Sequence, residues 1–208
     1  IEGIKNKAEE KIEFQEDTIC NVTIDELNKV LNNNKINKYI NIARFSKEKG
    51  IDNLINAFKE YSENDKSAYL IIIGGYGPEY NNIYSMIEDE NGNKLIDNVI
   101  IIKSISNPYP ILNKCNVFVL SSIYEGLPMT IMEALILGKK IISTDITGPK
   151  EFLSNGYGYL VDCSKEGLIK GLNDYKNNKI NNLKEFDAEK FNEIALEEFY
   201  NATKNSVK

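Results

Sequence analysis

Short runs of consecutive apolar, mostly β-branched residues recur along this chain and constrain its fold more than any other feature. Leu70-Ile71-Ile72-Ile73 and Val117-Phe118-Val119-Leu120 are apolar at every position rather than at alternate ones. Strands built from such runs need cover on both faces. Amphipathic segments separate them, so strands are expected near 38–43, 68–73, 98–102, 116–120, 140–143 and 157–161. Helices are expected near 50–62, 79–89, 108–113, 129–138, 148–153 and 165–176. The alternation predicts an α/β fold: a Rossmann-like, doubly wound parallel sheet of about six strands with flanking helices.

The 208 residues read as one domain. A leading segment, 1–36, has helical composition at 1–13 and 23–32, with an irregular stretch between them and an Asn run at 32–34. The core spans 37–178. A tail, 179–208, holds a long helix near 187–204 whose Phe191, Ile194, Ala195, Phe199 and Tyr200 fall at helical spacing and form an apolar stripe.

Composition removes several classes of function. Asp and Glu number 31 against 25 Lys and Arg, so the chain lacks the basic excess a nucleic-acid partner requires. There is no His, which removes imidazole bases, Ser-His and Cys-His nucleophile pairs and most zinc sites. No apolar run approaches the roughly 18 residues of a membrane span, and the first residues are not signal-like. Cys20, Cys115 and Cys163 are odd in number and far apart, as expected of reduced thiols in a cytosolic protein. Of the basic residues, 24 are Lys and one is Arg, Arg44. That lone guanidinium does what an ammonium cannot.

Open α/β sheets bind ligands beyond the carboxyl ends of their strands, so the loops after strands carry the chemistry. After the first regular strand, Arg44 and Lys49 flank a turn into a helix, a plausible diphosphate clamp; solvated surface charge is the plainer alternative. After the second comes Gly74-Gly75-Tyr76-Gly77-Pro78-Glu79, where glycines allow close approach of a ligand or of a neighbouring backbone. A dinucleotide fingerprint would need glycine where Tyr80 stands, which disfavours a nicotinamide oxidoreductase. After the fourth strand, Glu125-Gly126-Leu127-Pro128-Met129 turns into a helix whose first amides favour negative charge. Glu133 follows among Ile131, Met132, Ala134 and Leu135, where a carboxylate is expected to be buried and to need donors. Ribose hydroxyls, a salt bridge or a neighbouring loop would supply them.

Glu125 and Glu133, eight positions apart around Gly-Leu-Pro, resemble the paired-glutamate motif of retaining GT-B glycosyltransferases of family 4. Arg44 followed by Lys49-Gly50, the glycines of 74–79, Asn107-Pro108-Tyr109, Ser143-Thr144-Asp145, Gly148-Pro149 and Glu151, and Gly156-Tyr157-Gly158 extend the resemblance over about 38–165. It implies a catalytic set of Arg44, Lys49 and Glu125, with the two cations on the donor diphosphate and Glu125 at the donor sugar. It further implies donor contacts from Gly74, Gly75, Gly77, Lys103, Ser104, Gly126, Leu127, Pro128 and Met129, with Glu133 on the ribose. Lys103 departs from the glycine common at that place, beside the base.

The same resemblance implies the donor-binding half of a two-domain enzyme, with the acceptor-binding half outside this chain and the terminal helix packing back on it. The partners implied are a nucleotide sugar, expected to be a UDP-sugar, and a glycan or lipid-linked acceptor in cell-surface polysaccharide (capsule or lipopolysaccharide) synthesis. No cofactor is implied, and no metal, since the chain has no Asp-x-Asp or His-rich cluster. The expected location is the cytoplasm, including the cytoplasmic face of the membrane. On its own such a domain should bind donor and turn over little. The rival from another class is a noncatalytic nucleotide-binding or interaction module of the same fold.

Overall fold

A computed structural model describes residues 1–14, 21–126, 128–180 and 183–205. The six expected strands form: β1 (Lys38–Ile42), β2 (Tyr69–Ile73), β3 (Val99–Ile102), β4 (Val117–Leu120), β5 (Lys140–Thr144) and β6 (Tyr159–Val161). They lie in one sheet of order β3-β2-β1-β4-β5-β6, and every pairing is parallel. The helices are α1 (Glu2–Ala8), α2 (Ile24–Asn32), α3 (Ile51–Glu63), α4 (Tyr80–Ser85), α5 (Tyr109–Lys114), α6 (Met129–Ile136), α7 (Thr147–Leu153), α8 (Lys165–Lys176) and α9 (Ala188–Asn205).

Unbroken apolar strands have the two-sided cover they require. Leu70, Ile72, Val99, Ile101, Val117 and Val119 pack with Leu54 and Phe58 of α3 and Leu168 and Leu172 of α8. Ile71, Ile73, Ile100, Ile102, Phe118 and Leu120 turn to the other side, against α2, α5, α6 and α7. Each such side chain, fully buried, contributes roughly 1.5–3 kcal/mol of transfer free energy, so the two layers stabilise the sheet from both faces.

Two helices are shorter than their sequence pattern suggests. The expected helix over 79–89 stops at Ser85, because the Asp89 carboxylate accepts the backbone N–H groups of Asn91 and Asn93 and the Leu95 N–H turns back to the Ile87 carbonyl. A side chain that caps its own following turn competes with helix propagation. Helical composition over 1–13 yields helix only to Ala8. In α9, Phe191 meets Phe152 of α7 edge-to-face at 5.4 Å between centroids, while Ile194, Leu196 and Tyr200 are exposed. The Phe199 side chain and Cys20 of the sequence reading lie outside what the structure describes. Among the described residues, no helix is long and apolar enough to cross a membrane.

Far from the loops, Asp174 ties α8 to β6: its Oδ2 accepts Lys170 Nζ at 2.7 Å and Tyr159 Oη at 2.8 Å. Lys170 first, then the Tyr159 hydroxyl, hold the Asp174 carboxyl at about 2 rather than its ordinary 3.8. A carboxyl lowered in the folded state stabilises the protein fully above its unfolded value and loses that contribution as pH falls through the folded one. Asp174→Asn should therefore lower the urea midpoint at pH 6. The gap from the parent should narrow steadily as pH drops from about 4 toward 2. A gap that stays constant down to the acid transition would refute this.

Candidate functional site

Sheet order places the carboxyl ends of β1 and β4 side by side, where the winding reverses, and loops diverging there frame a crevice. The two loops are bound to one another. Lys49 Nζ donates to Glu125 Oε2 at 2.5 Å, and the two side chains are only 18% and 16% exposed. Ser121 Oγ donates to the Lys49 carbonyl at 2.8 Å, and the Ile123 N–H donates to the Glu48 carbonyl at 2.8 Å. Gly50, at φ 57°, lies so close that a Cβ there would stand 2.3 Å from the Ser121 carbonyl oxygen. The sequence suggested separate duties for Lys49 and Glu125, but the structure makes them an ion pair, so neither mostly buried charge is left uncompensated.

Arg44 is solvent-exposed beside this pair. Its Nη2 donates to Glu48 Oε1 at 3.2 Å, and Ser46 Oγ donates to the same oxygen at 2.6 Å. The Ser46 hydroxyl above all, with Arg44 and Lys49 contributing, holds the Glu48 carboxyl below the usual carboxylate range. Glu48 thus stays ionised and aims the guanidinium. Among the described residues this is the only hydrogen bond of the Arg44 guanidinium, so most of a five-donor fork faces outward for an oxygen-rich ligand.

The glycine loop is packed tightly against its neighbours. Gly74 at φ 126° and Gly77 at φ 127° press on the segment after β1: a Cβ would lie 2.2 Å from the Ala43 carbonyl oxygen and 2.3 Å from that of Phe45, respectively. Phe45 N–H donates to the Tyr76 carbonyl at 2.7 Å, and Glu79 N–H donates back to Phe45 at 3.0 Å. Gly75 abuts the Lys103 backbone, with a Cβ only 2.9 Å from its Cα. These glycines let the loops after β1, β2 and β3 interlock, and so set where Arg44 stands. Lys103 and Ser104 are exposed on the third of these loops, with Lys103 Nζ 5.7 Å from the centre of the Tyr80 ring.

The loop after β4 enters α6 through a buried Pro128 at the N-cap, with no side chain capping the first turn. The helix therefore presents its leading amides without a protein side-chain acceptor. Gly126 and Met129 are exposed, and Leu127 lies outside the described residues. Gly148 approaches this loop closely: a Cβ there would stand 2.2 Å from the Gly126 carbonyl oxygen and 2.8 Å from that of Glu125. Between them opens a cleft of about 540 Å³, lined by Tyr124, Glu125 and Gly126 on one side and Thr147, Gly148, Glu151 and Phe152 on the other.

Glu133 is half-buried, not enclosed as its apolar neighbours suggested. On α6, Ile131, Ala134 and Leu135 take the core face and leave Glu133 on the flank. There its Oε1 accepts the Tyr109 hydroxyl at 2.9 Å. Burial, followed by this bond and the carboxylate charge, pushes the Tyr109 hydroxyl up to about 12. Two buried side-chain atoms near the carboxyl ends of β1 and β4, Asn41 Oδ1 and Ser122 Oγ, have no hydrogen-bond partner among the described residues. Among the described residues, no three Cys, Asp or Glu side chains converge where a metal ion would be held.

Sequence reasoning assigned no role to Glu48, Tyr109, Ser121 or Gly148. Tyr109, Ser121 and Gly148 had a signal, since all three stand in the family pattern; Glu48 acts through contacts that no local spacing announces.

A family model described as glycosyl transferases group 1 matches residues 23–193. An uncharacterized glycosyltransferase of Methanocaldococcus jannaschii is 42% identical over 116 residues, covering 55% of this chain and 28% of that protein. The capsular polysaccharide biosynthesis glycosyltransferase CapM of Staphylococcus aureus is 32% identical over 156 residues, covering 73% of this chain and 39% of that protein. Among solved structures, TarM superposes with a TM-score of 0.60 at 27% identity, over 71% of this chain and 30% of its own. An S. aureus TarM mutant, solved with fondaparinux, alpha-GlcNAc-glycerol and UDP, superposes with a TM-score of 0.57 at 28% identity, over 66% of this chain and 29% of its own. The chain spans less than half the length of each of these relatives.

Proposed function

The chain belongs to the glycosyl transferases of group 1, and from that premise we propose that it binds a nucleotide sugar, UDP-linked, in the crevice above β1 and β4. In the whole enzyme the sugar passes, with retention and without a metal, to a glycan or lipid-linked acceptor of cell-surface polysaccharide synthesis. The observation that carries this reading is the Lys49–Glu125 pair with Arg44 beside it. Cations, a carboxylate and an uncapped helix start meet at the switch point, where open sheets of this kind bind nucleotides. UDP in the solved TarM complex supports the choice of base.

In this scheme residues 1–208 form the donor half, of family 4 type, and the acceptor half lies in the length of the relatives that the chain does not match. Arg44 and Lys49 hold the diphosphate, Glu125 meets the sugar from the rim of the cleft, and Glu133 takes the ribose hydroxyls. The bond from the anomeric carbon to the diphosphate oxygen breaks, and one to the acceptor oxygen forms on the same face. The acceptor proton passes to a donor phosphate oxygen, so no protein base is needed. Negative charge gathers on the departing diphosphate, where preorganised cations and amides stabilise it. The reaction is assigned to the cytoplasmic side of the membrane.

Calorimetric titration with UDP, GDP and ADP tests the reading, and UDP should bind tightest. Failure of the folded protein to bind any nucleoside diphosphate would overturn it. Arg44→Lys should weaken UDP binding about fivefold or more although charge is kept, because an ammonium cannot reproduce the planar fork. Equal affinity would show that only charge matters there.

A further inference from the structure

We infer that Tyr109 is a positioning residue for the donor ribose, acting through Glu133; the inference rests on the ribose assignment proposed above. The Tyr109 hydroxyl donates to Glu133 Oε1 at 2.9 Å, and among the described residues this is the only partner of that carboxylate. One oxygen is thereby fixed and the other stays available. An ionised carboxylate accepts at several lone-pair positions, so a bond from Tyr109 sets the plane of the group without exhausting it.

Tyr109 is itself held at its other end. Asn107 Oδ1 accepts the Tyr109 N–H at 3.1 Å, while Asn107 Nδ2 donates to the Lys7 carbonyl at 2.9 Å and to Glu10 Oε2 at 2.7 Å. A hydrogen-bonded path therefore runs from the leading segment, through the start of α5, to the Glu133 carboxylate on α6. With its hydroxyl pushed up to about 12, Tyr109 stays a donor across the neutral range. Half-buried Glu133 would otherwise sample several rotamers and lose that freedom on binding. Tyr109 removes the loss in advance.

The test compares UDP with 2′,3′-dideoxyuridine diphosphate, which lacks both ribose hydroxyls, by calorimetry on the parent, Tyr109→Phe, Glu133→Ala and the double variant. Phe keeps the ring that packs against the core, and urea unfolding confirms that each variant is folded; Glu133→Gln replaces Glu133→Ala should the latter fold poorly. Tyr109→Phe should weaken UDP about fivefold, a typical effect for a bond to a charged group, and leave the dideoxy ligand unchanged. In the Glu133-substituted background it should add nothing. Equal losses for both ligands, or no loss for either, would overturn the role of Tyr109 while an effect of Glu133→Ala confined to UDP kept the ribose assignment. A Glu133→Ala variant that binds both ligands as the parent does would overturn the assignment and this inference together.

Discussion

Lys49→Ala is expected to cost the fold about 2–3 kcal/mol and to weaken UDP binding at least about thirtyfold. The two losses have different origins. Lys49 and Glu125 are each more than four-fifths buried and paired at 2.5 Å. Removing the ammonium leaves a carboxylate in a place where water reaches it poorly. The stability loss is thus mainly the cost of an orphaned charge, and Lys49→Ala with Glu125→Ala should recover most of it. Binding should not recover, because the cation proposed for the diphosphate is still missing. Urea unfolding and calorimetry on the single and double variants separate the two effects. A Lys49→Ala protein that binds UDP within twofold of the parent would remove Lys49 from the clamp.

Gly74→Ala should be the most damaging of the glycine substitutions, lowering stability by about 3 kcal/mol or more and the melting temperature by about 10 °C. At φ 126° an alanine is strained whatever the surrounding space, and its Cβ would stand 2.2 Å from the Ala43 carbonyl oxygen. That oxygen belongs to backbone at the exit of β1 and cannot swing aside like a side chain. The loop carrying Arg44 must move instead, so nucleotide affinity should fall with stability. Gly126→Ala is the control, with open space around its Cβ and a melting temperature expected within about 2 °C of the parent. Equal melting temperatures for both variants would show that the crowding at Gly74 relaxes without cost.

The contrast between these glycines also shows what could be read from the chain before its structure. Runs such as Leu70-Ile71-Ile72-Ile73 announced two-sided strands, because burial on both faces leaves no polar position in the pattern, and all six strands stand where expected. Arg44, Lys49, Glu125 and Glu133 were recognisable as chemistry-bearing because charged residues followed strands or interrupted an apolar helix. Their partners were not recognisable. Lys49 meets Glu125 across 76 positions and Tyr109 meets Glu133 across 24, and such pairings depend on which loops the strand order makes neighbours. Glu133 shows the limit of local context: apolar neighbours implied enclosure, but 3.6 residues per turn put Ile131, Ala134 and Leu135 inward and leave the position between them on the flank. Gly74 and Gly77 read equally as ligand-facing or as packing, and only the position of the Ala43 and Phe45 carbonyls reveals the packing that requires them.

The place of β1 between β2 and β4 bears on how the site comes into being. Its first neighbour follows after α3, but its second is not synthesised until the chain has grown by a further four elements, and the Asn41 bond to the Val119 carbonyl closes a loop of 78 residues. Parallel pairings of such long range form late, since loop-closure entropy is lost before contacts reward it. The loops tied by Ser121 and the Lys49 carbonyl therefore depend on the longest-range strand pairing in the sheet. A ligand held by both grips only the finished domain, so it should slow the rate at which that domain opens more than it speeds assembly.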